Sequence, residues 1–563
     1  MSTRSTAVEH MGTDAVAARE SSLARLADEH WDVLIVGGGI VGSGALLDAT
    51  SRGLKAALVE QDDLAVGTSS RSSRLIHGGL RYLEDLRLGL VREALAERSR
   101  LLRLAPHLVR LERFLFPVYG RPLVDRVYMG LGLTLYDLLG AARDGGRAHH
   151  LDARAVARSI PDIRRERLRG GVTYSDGVED DARFSLMVAL TAMAQGATVA
   201  TRARATGLLA DAHGTVVGIA VEDRLHGARF DVQARHVIDA TGVWMGHPRL
   251  ALEDSSLRLV PSRGTHLVFP RERLRLEMGL TLRVPGRVVF VIPYGQSWLA
   301  GTTDVPDDGP PARPVPTNDE VTAILDNVNA VLDVDLTRAD AVGAFAGLRP
   351  LVGMPGGDTA RVSREHTVRR EADGLVRVSG GKYTTYRLMA RDVVDTALED
   401  EASRPPSRTA ELPLLGAASP ERLDQLATEI ARDTGLDPDR ASALVGRHGT
   451  RASAVVALGR EADLLRPLAE DRSELEAEVA WAVEQELALD LDDILSRRLR
   501  LSMSRADRGA SVAARVAAIA GARLGWDGQR QASEVARFLA DAHREYDVPG
   551  REAGPTGGPG HGG

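Results

Sequence analysis

The chain has 563 residues, 44% of them hydrophobic and 26% charged, and a formal net charge of -7. That length predicts two or three domains, the balance is that of a globular protein, and the charge carries no nucleic-acid signature. Cysteine is absent, which excludes disulfides, thiol nucleophiles, Cys-ligated zinc and iron–sulfur clusters, and leaves the chemistry to other side chains or an organic cofactor.

Residues 1–29 form a polar, Ala-rich N-terminal extension without the apolar stretch of a secretory signal, so the chain is expected to stay in the cytoplasm. The apolar run Val33–Val36 then reads as a buried parallel strand that enters Gly37, Gly39 and Gly42 in GxGxxG spacing. A helix should follow to about Arg52, with Gly53 ending it. The next strand, Ala56–Val59, ends at Glu60, about twenty residues after the first glycine. This order is that of a dinucleotide-binding unit: the glycines allow a tight turn and close approach to a pyrophosphate, the helix start offers free N–H groups, and the acid accepts a ribose hydroxyl. A glycine-rich turn in some other α/β fold would leave Glu60 without a role.

Next comes GTSSRSSRLIHGGLRYLE, residues 67–84, rich in Ser, Arg and Gly. Beyond it, the uncharged run Val127–Tyr136 is too short to cross a bilayer. Arg121–Leu139 is apolar and flanked by Arg103, Arg110, Arg113, Arg121 and Arg126, which suits an interfacial segment and equally a buried helix.

From Thr198 the pattern predicts a strand, a hairpin and a third short strand before an apolar strand ending at Ala240, Thr241 and Gly242. NAD and FAD both use a GxGxxG turn, and a β-meander returning through ATG is the FAD layout. Gly380 and Gly381 sit between a strand, Leu375–Ser379, and a helix expected near Thr384. A helix start there would stabilise negative charge on a reduced flavin, although a plain helix cap reads the same. Pro405 and Pro406 should interrupt the following helix, placing a linker near 402–412. Pro420 to about Tyr546 reads as helical and charged, and the Gly- and Pro-rich end as disordered.

Several stretches, among them SSRLIHGGLRYLE, VIDATGVW, SRGTHLVF, AGTTD, AGLRPLV, SREHTV and GGKYTTYRLMARDVVD, resemble the FAD-dependent glycerol-3-phosphate dehydrogenases in order from about residue 22 to 400. The resemblance implies an α/β fold in which an FAD-binding, Rossmann-like domain of the D-amino-acid-oxidase type is interleaved with an antiparallel-sheet substrate domain and followed by an all-helical C-terminal domain. The corresponding boundaries are 30–260 and 343–401 for the FAD domain with a helical excursion at about 87–150, 261–342 for the main part of the substrate domain, 410–546 for the helical domain and 547–563 for the tail. The implied reaction is oxidation of sn-glycerol 3-phosphate to dihydroxyacetone phosphate through FAD, with electrons passed to a membrane quinone. The implied partners also include the inner face of the cell membrane, held peripherally, while a homodimer is left open.

Carried across, the resemblance assigns Gly37, Gly39, Gly42 and Glu60 to the dinucleotide turn. It assigns Thr68, Ser69, Ser73, His77, Gly78 and Gly79 to a segment beside the flavin, and Ala240, Thr241, Gly242, Gly380 and Gly381 to the other two turns. Arg81, Tyr82, Arg349, Arg364 and Lys382 match substrate-pocket positions, and His266 is one candidate base. A phosphate dianion needs several cationic donors, which suits Arg81 and Arg364. Arg349, Lys382 and His266 would then lie nearer the carbinol, His266 otherwise being a hydrogen-bonded core histidine. Arg74, Tyr383 and Asp239 replace the family's usual Lys, Leu and Asn. Arg71 is expected at the surface. An oxidase passing electrons to oxygen, and a non-catalytic FAD-fold binding protein, are the alternatives.

Overall fold

A computed structural model describes residues 15–79, 87–119, 147–245, 259–284, 287–307, 309, 311–352 and 366–551. Arg81, Tyr82, Arg364 and the stretch Arg121–Leu139 lie outside these residues.

The first sheet is built on the expected β-α-β unit. Trp31–Val36 and Ala56–Val59 pair in parallel, and the helix Ile40–Ser51 connects them, with Gly53 at φ +87° just past its end. The strand order continues outward to Thr198–Ala200 on one side and, on the other, through Arg229–Asp239 and Val376–Gly380 to His366–Arg370. Val33, Leu34, Ile35, Ala57 and Leu58 are fully buried, as a parallel strand covered on both faces requires.

The third short strand and the apolar strand expected before Ala240 are one continuous element, Arg229–Asp239. Its first half pairs antiparallel with Val216–Asp223, and its second half pairs in parallel with Trp31–Val36. No Gly or Pro interrupts RFDVQARHVID, so the backbone runs on while the partner changes.

The second sheet has ten strands and is larger than residues 261–342. Leu75–Ile76, Val109–Tyr119, His149–Asp152 and Leu168–Glu179 join Leu259–Pro270, Gly279–Val284, Arg287–Tyr294, Ser297–Gly301, Val305–Pro306 and Gly343–Val352. The excursion after residue 87 is accordingly helical over Leu88–Leu104, and RLERFLFP then lies on an eleven-residue strand paired with Leu168–Glu179.

The helix after GGKYTTYR ends at Ala397, short of Pro405 and Pro406, which therefore interrupt nothing. Instead Arg52 ties this end of the helix down by donating to Asp395 (2.6 Å) and to the Pro405 carbonyl (3.1 Å). The C-terminal helices begin at Pro420 and end at Tyr546, with Ser419, Asp437 and Asp527 capping three of them through side-chain oxygens. Each such cap contributes about 1 kcal/mol. Their apolar faces share one core with the second sheet, in which Leu444, Val455, Leu495 and Phe538 pack with Phe114, Val172, Leu299 and Phe345. Of the tail, Val548 is buried and Arg551 donates to the Ala341 carbonyl (3.0 Å). Among the described residues no helix is long and apolar enough to cross a membrane.

Candidate active site

One cavity of about 820 Å³ runs from the first glycine turn to the inner face of the second sheet, within the range of ligand sites. At its first end Gly37 has φ +109°, and a Cβ there would stand 2.7 Å from the Ala240 carbonyl oxygen. Only glycine fits that approach. Gly39 is the extended residue before the helix Ile40–Ser51, whose first amide, Ile40 N–H, donates to Ser69 Oγ (2.9 Å). Gly42 does not line the cavity; a Cβ there would meet Gly37 O at 1.9 Å, so it permits the helix to close on the turn.

Glu60 lines the cavity although it is buried, and its carboxylate accepts from Gly38 N–H (2.7 Å) and Asp62 N–H (2.8 Å). Burial pushes it up to about 7, against the pull of those amides, and the neighbouring Asp62 and Asp63 add to the rise. At the ATG turn Asp239, which replaces the family's Asn, accepts from Thr241 N–H (3.1 Å) and Oγ1–H (2.6 Å), and Arg377 lies 3.3 Å away to balance its buried charge. Ala240, Thr241 and Gly242 line the cavity beside Trp244.

The segment 67–79 forms a long wall. Thr68 Oγ1–H donates to the Leu348 carbonyl (2.6 Å), next to Arg349. Ser73 Oγ lies 2.9 Å from His266 Nε2. His77 N–H donates to Thr384 Oγ1 (3.1 Å), which stitches this segment to the third glycine turn. Gly79, at φ +76°, lines the cavity, whereas Gly78 does not and donates instead toward Asp176 (3.4 Å), itself held by Arg98 (2.9 Å). At the third turn Gly380 and Gly381 have φ +77° and +81°. A 3-10 turn, Tyr383–Thr385, leads into the helix Tyr386–Ala397, so the helix starts two residues after the expected Thr384.

His266, Arg349 and Lys382 all line this cavity. The Arg349 guanidinium donates to Thr302 Oγ1 (3.0 Å) and to the Thr303 carbonyl (3.1 Å), with Asp304 at 3.7 Å. Gly264 leaves it room, since a Cβ there would lie 2.5 Å from Arg349 Nη2. His266 is buried and stacks on Phe345 with ring centroids 4.9 Å apart. Burial pushes its imidazole down to about 3, and Arg349 and Arg74 push the same way. It is therefore a neutral imidazole, whose Nδ1 has no hydrogen-bond partner among the described residues.

Arg71 differs from the reading of the sequence, whereas Arg74 does not. Arg71 is buried, not at the surface, and its guanidinium donates to Glu545 in the last helix (2.5 Å). Arg74, read as a supporting exchange, is buried with its guanidinium 3.5 Å from the Tyr294 ring centroid, a cation–π contact. Thr302, Thr303, Asp304 and Gly264 belong to the same wall, and only their place in AGTTD and SRGTHLVF pointed to them.

The donor set fits a long flavin dinucleotide: a glycine cradle that a Cβ would fill, a helix start, a buried acid and two further glycine turns on one cavity. Comparison with known proteins agrees. The family model for FAD dependent oxidoreductases matches residues 32–396, and that for the C-terminal domain of alpha-glycerophosphate oxidase matches residues 407–531. Glycerol-3-phosphate dehydrogenase 2 of Mycobacterium bovis is 43% identical over 94% of this chain and 91% of its own length. The human mitochondrial glycerol-3-phosphate dehydrogenase is 36% identical over 93% of this chain and 75% of its own. The crystal structure of the Bacillus halodurans glycerol-3-phosphate dehydrogenase complexed with FAD superposes with a TM-score of 0.78 at 26% identity, covering 95% of this chain and 98% of that one.

Proposed function

The chain belongs to the FAD-dependent glycerol-3-phosphate dehydrogenases, and from that premise we propose that it passes electrons from glycerol 3-phosphate to a membrane quinone at the inner face of the cell membrane. It is an FAD-dependent enzyme that oxidises glycerol 3-phosphate. The observation that carries the assignment of roles is that His266, Arg349 and Lys382 line the same cavity as the dinucleotide turn.

Gly37, Gly39, Glu60, the segment 68–79, the ATG turn and Gly380–Gly381 would hold FAD, which when bound supplies the acceptor for the hydride leaving the carbinol carbon. Arg349, kept in one orientation by Thr302 and Thr303, presents its guanidinium to the substrate oxygens. Lys382 adds a second cationic donor on the same cavity. Arg81 and Arg364 complete the assignment as phosphate-side residues, with Tyr82 a further substrate-binding residue.

His266 accepts the hydroxyl proton. An imidazole pushed down to about 3 is a weak base toward an alcohol. It suffices when the proton leaves with or after the hydride, because the oxygen is then that of a protonated carbonyl, a far stronger acid. The approach of the substrate dianion also opposes the Arg349 and Arg74 charges that depress the imidazole.

A quinone stays in the bilayer, so this acceptor requires the protein to meet the membrane surface. The test is anaerobic reduction of the purified yellow protein by glycerol 3-phosphate, followed by reoxidation with a water-soluble quinone analogue or with oxygen. Bleaching followed by much faster quinone than oxygen turnover is expected. Stoichiometric hydrogen peroxide with little quinone reduction would instead make the protein an oxidase.

A further inference from the structure

The cavity wall formed by residues 67–79 is held from behind by the C-terminal helical region, more than 400 residues further along the chain. Arg500 Nη2–H donates to the Ser70 carbonyl (2.9 Å) and to Asp181 Oδ1 (2.8 Å), while Asp181 Oδ2 accepts from Ser72 N–H (2.8 Å). Between these two points Arg71 donates to Glu545 (2.5 Å). Arg74 ends the segment with Nη2 2.7 Å from Met503 Sδ. Arg500, Asp181, Arg71 and Glu545 are all buried, so removing one partner leaves a desolvated charge on the other. The clamp grips the backbone on both sides of Arg71, one residue before Ser73 meets His266.

We infer that Arg500 and Glu545 are positioning residues for the oxidation itself, acting through the segment 70–73 to set the Ser73 hydroxyl against the His266 imidazole. Neither residue lines the cavity, so neither touches substrate or cofactor. The C-terminal region is thereby part of the device that orients the base. The inference rests on the role proposed for His266, and a displacement of the wall by about 1 Å is enough to slow a positioned reaction by one to two orders of magnitude.

The experiment is a double-mutant cycle on the holoenzyme with Ser73→Ala and Arg500→Lys, followed by kcat, KM and hydrogen exchange of the flavin-free protein. Each single variant is expected to lower kcat about tenfold with KM changed less than about twofold, and the double variant is expected to be no slower than the slower single. Losses that multiply in the double variant overturn the inference, because Arg500 would then act independently of Ser73. Should Arg500→Lys fail to fold, Glu545→Gln, which keeps an acceptor for Arg71 and loses the charge, takes its place in the same cycle. In the flavin-free variant the amides of residues 70–73 should exchange at least about tenfold faster, with those of the Gly37–Gly42 turn unchanged. Unaltered exchange at 70–73 also overturns the inference. If the wild-type protein does not oxidise glycerol 3-phosphate, the proposed function has failed, and the exchange result still decides whether the clamp exists.

Discussion

His266 and Ser73 share one hydrogen bond, 2.9 Å between Nε2 and Oγ, and this bond joins the second sheet to the wall that faces the dinucleotide turn. It fixes the ring plane while Phe345 stacks beneath it. The ring is thus pinned at one nitrogen and supported on one face, which is what a positioned proton acceptor needs.

Replacing this ring with an amide that can still bond to Ser73 separates the two jobs. His266→Asn is expected to lower kcat about 100-fold with flavin content and KM little changed, since general-base catalysis is worth about that factor or more. Because burial holds the wild-type imidazole at about 3, the free enzyme should show no acid limb from this residue between pH 8 and 5 in kcat/KM. A limb near pH 6.5 that His266→Asn abolishes would show an ordinary exposed histidine instead.

Arg349 is oriented by Thr302 Oγ1 and the Thr303 carbonyl, and it lines the cavity. Charge-assisted hydrogen bonds contribute about 1.5–3 kcal/mol, so Arg349→Ala should raise KM for glycerol 3-phosphate roughly 10- to 100-fold. Flavin content should stay the same. Loss of yellow colour in place of a changed KM would move this residue to a structural role.

The parts of the fold that were legible are those whose signals are local. Val33–Val36 followed by Gly37, Gly39 and Gly42 states a buried strand, a turn and a helix start within a dozen residues, and all three are there. Arg229–Asp239 was read as two strands because its polar half alternates and its apolar half does not; the change marks a change of partner strand. Arg71 was unreadable for a different reason. Its neighbours are Ser and Arg, which locally resemble a solvated loop, and its partner Glu545 is 474 positions away. Periodicity carries no information about such a pairing. Arg81 and Arg364 rest on resemblance and lie outside the described residues; of the pocket set, the described members Arg349, Lys382 and His266 all line the cavity.

Gly37 tests the cradle without touching any charge. In Gly37→Ala the new Cβ meets Ala240 O at 2.7 Å, and φ +109° is strained for any side chain. The atom it meets is backbone and cannot move aside. A destabilisation of about 1–3 kcal/mol is expected together with a protein purified without flavin. Normal flavin content in this variant, measured by absorbance after release, would place the cofactor away from the turn.

His107 provides a stability prediction separate from the site. It is buried beside Arg183 and His448, and burial first, then those charges, pushes it down to about 3 from its ordinary value near 6.5. The unfolded chain therefore binds a proton that the folded chain refuses. Stability from this residue is complete above pH 6.5 and is lost as pH falls toward 3, amounting to about 2 kcal/mol by pH 5. His107→Gln, whatever its stability at pH 8, should lose less between pH 7 and 5 in chemical denaturation. An unchanged pH slope would mean that His107 is as easily protonated folded as unfolded.

Glu60 connects proton binding to cofactor binding. Its folded value of about 7 is raised from the ordinary 4.5 by burial, so near neutral pH the flavin-free protein is a mixture of protonated and ionised forms. Ribose hydroxyls donate hydrogen bonds, and donors favour the ionised carboxylate. Cofactor binding at this acid should therefore release a proton, and FAD affinity should rise with pH through about 7 and level off above it. The upper bound on the slope is tenfold per pH unit, one proton released for each cofactor bound. Glu60→Gln cannot ionise, so it should bind FAD more weakly at pH 8 and show a flat profile across the same range. Titration of the flavin-free protein with FAD, followed by flavin fluorescence from pH 6 to 8.5, reads both effects at once; a variant whose pH dependence matches the wild type would take Glu60 out of the cofactor site.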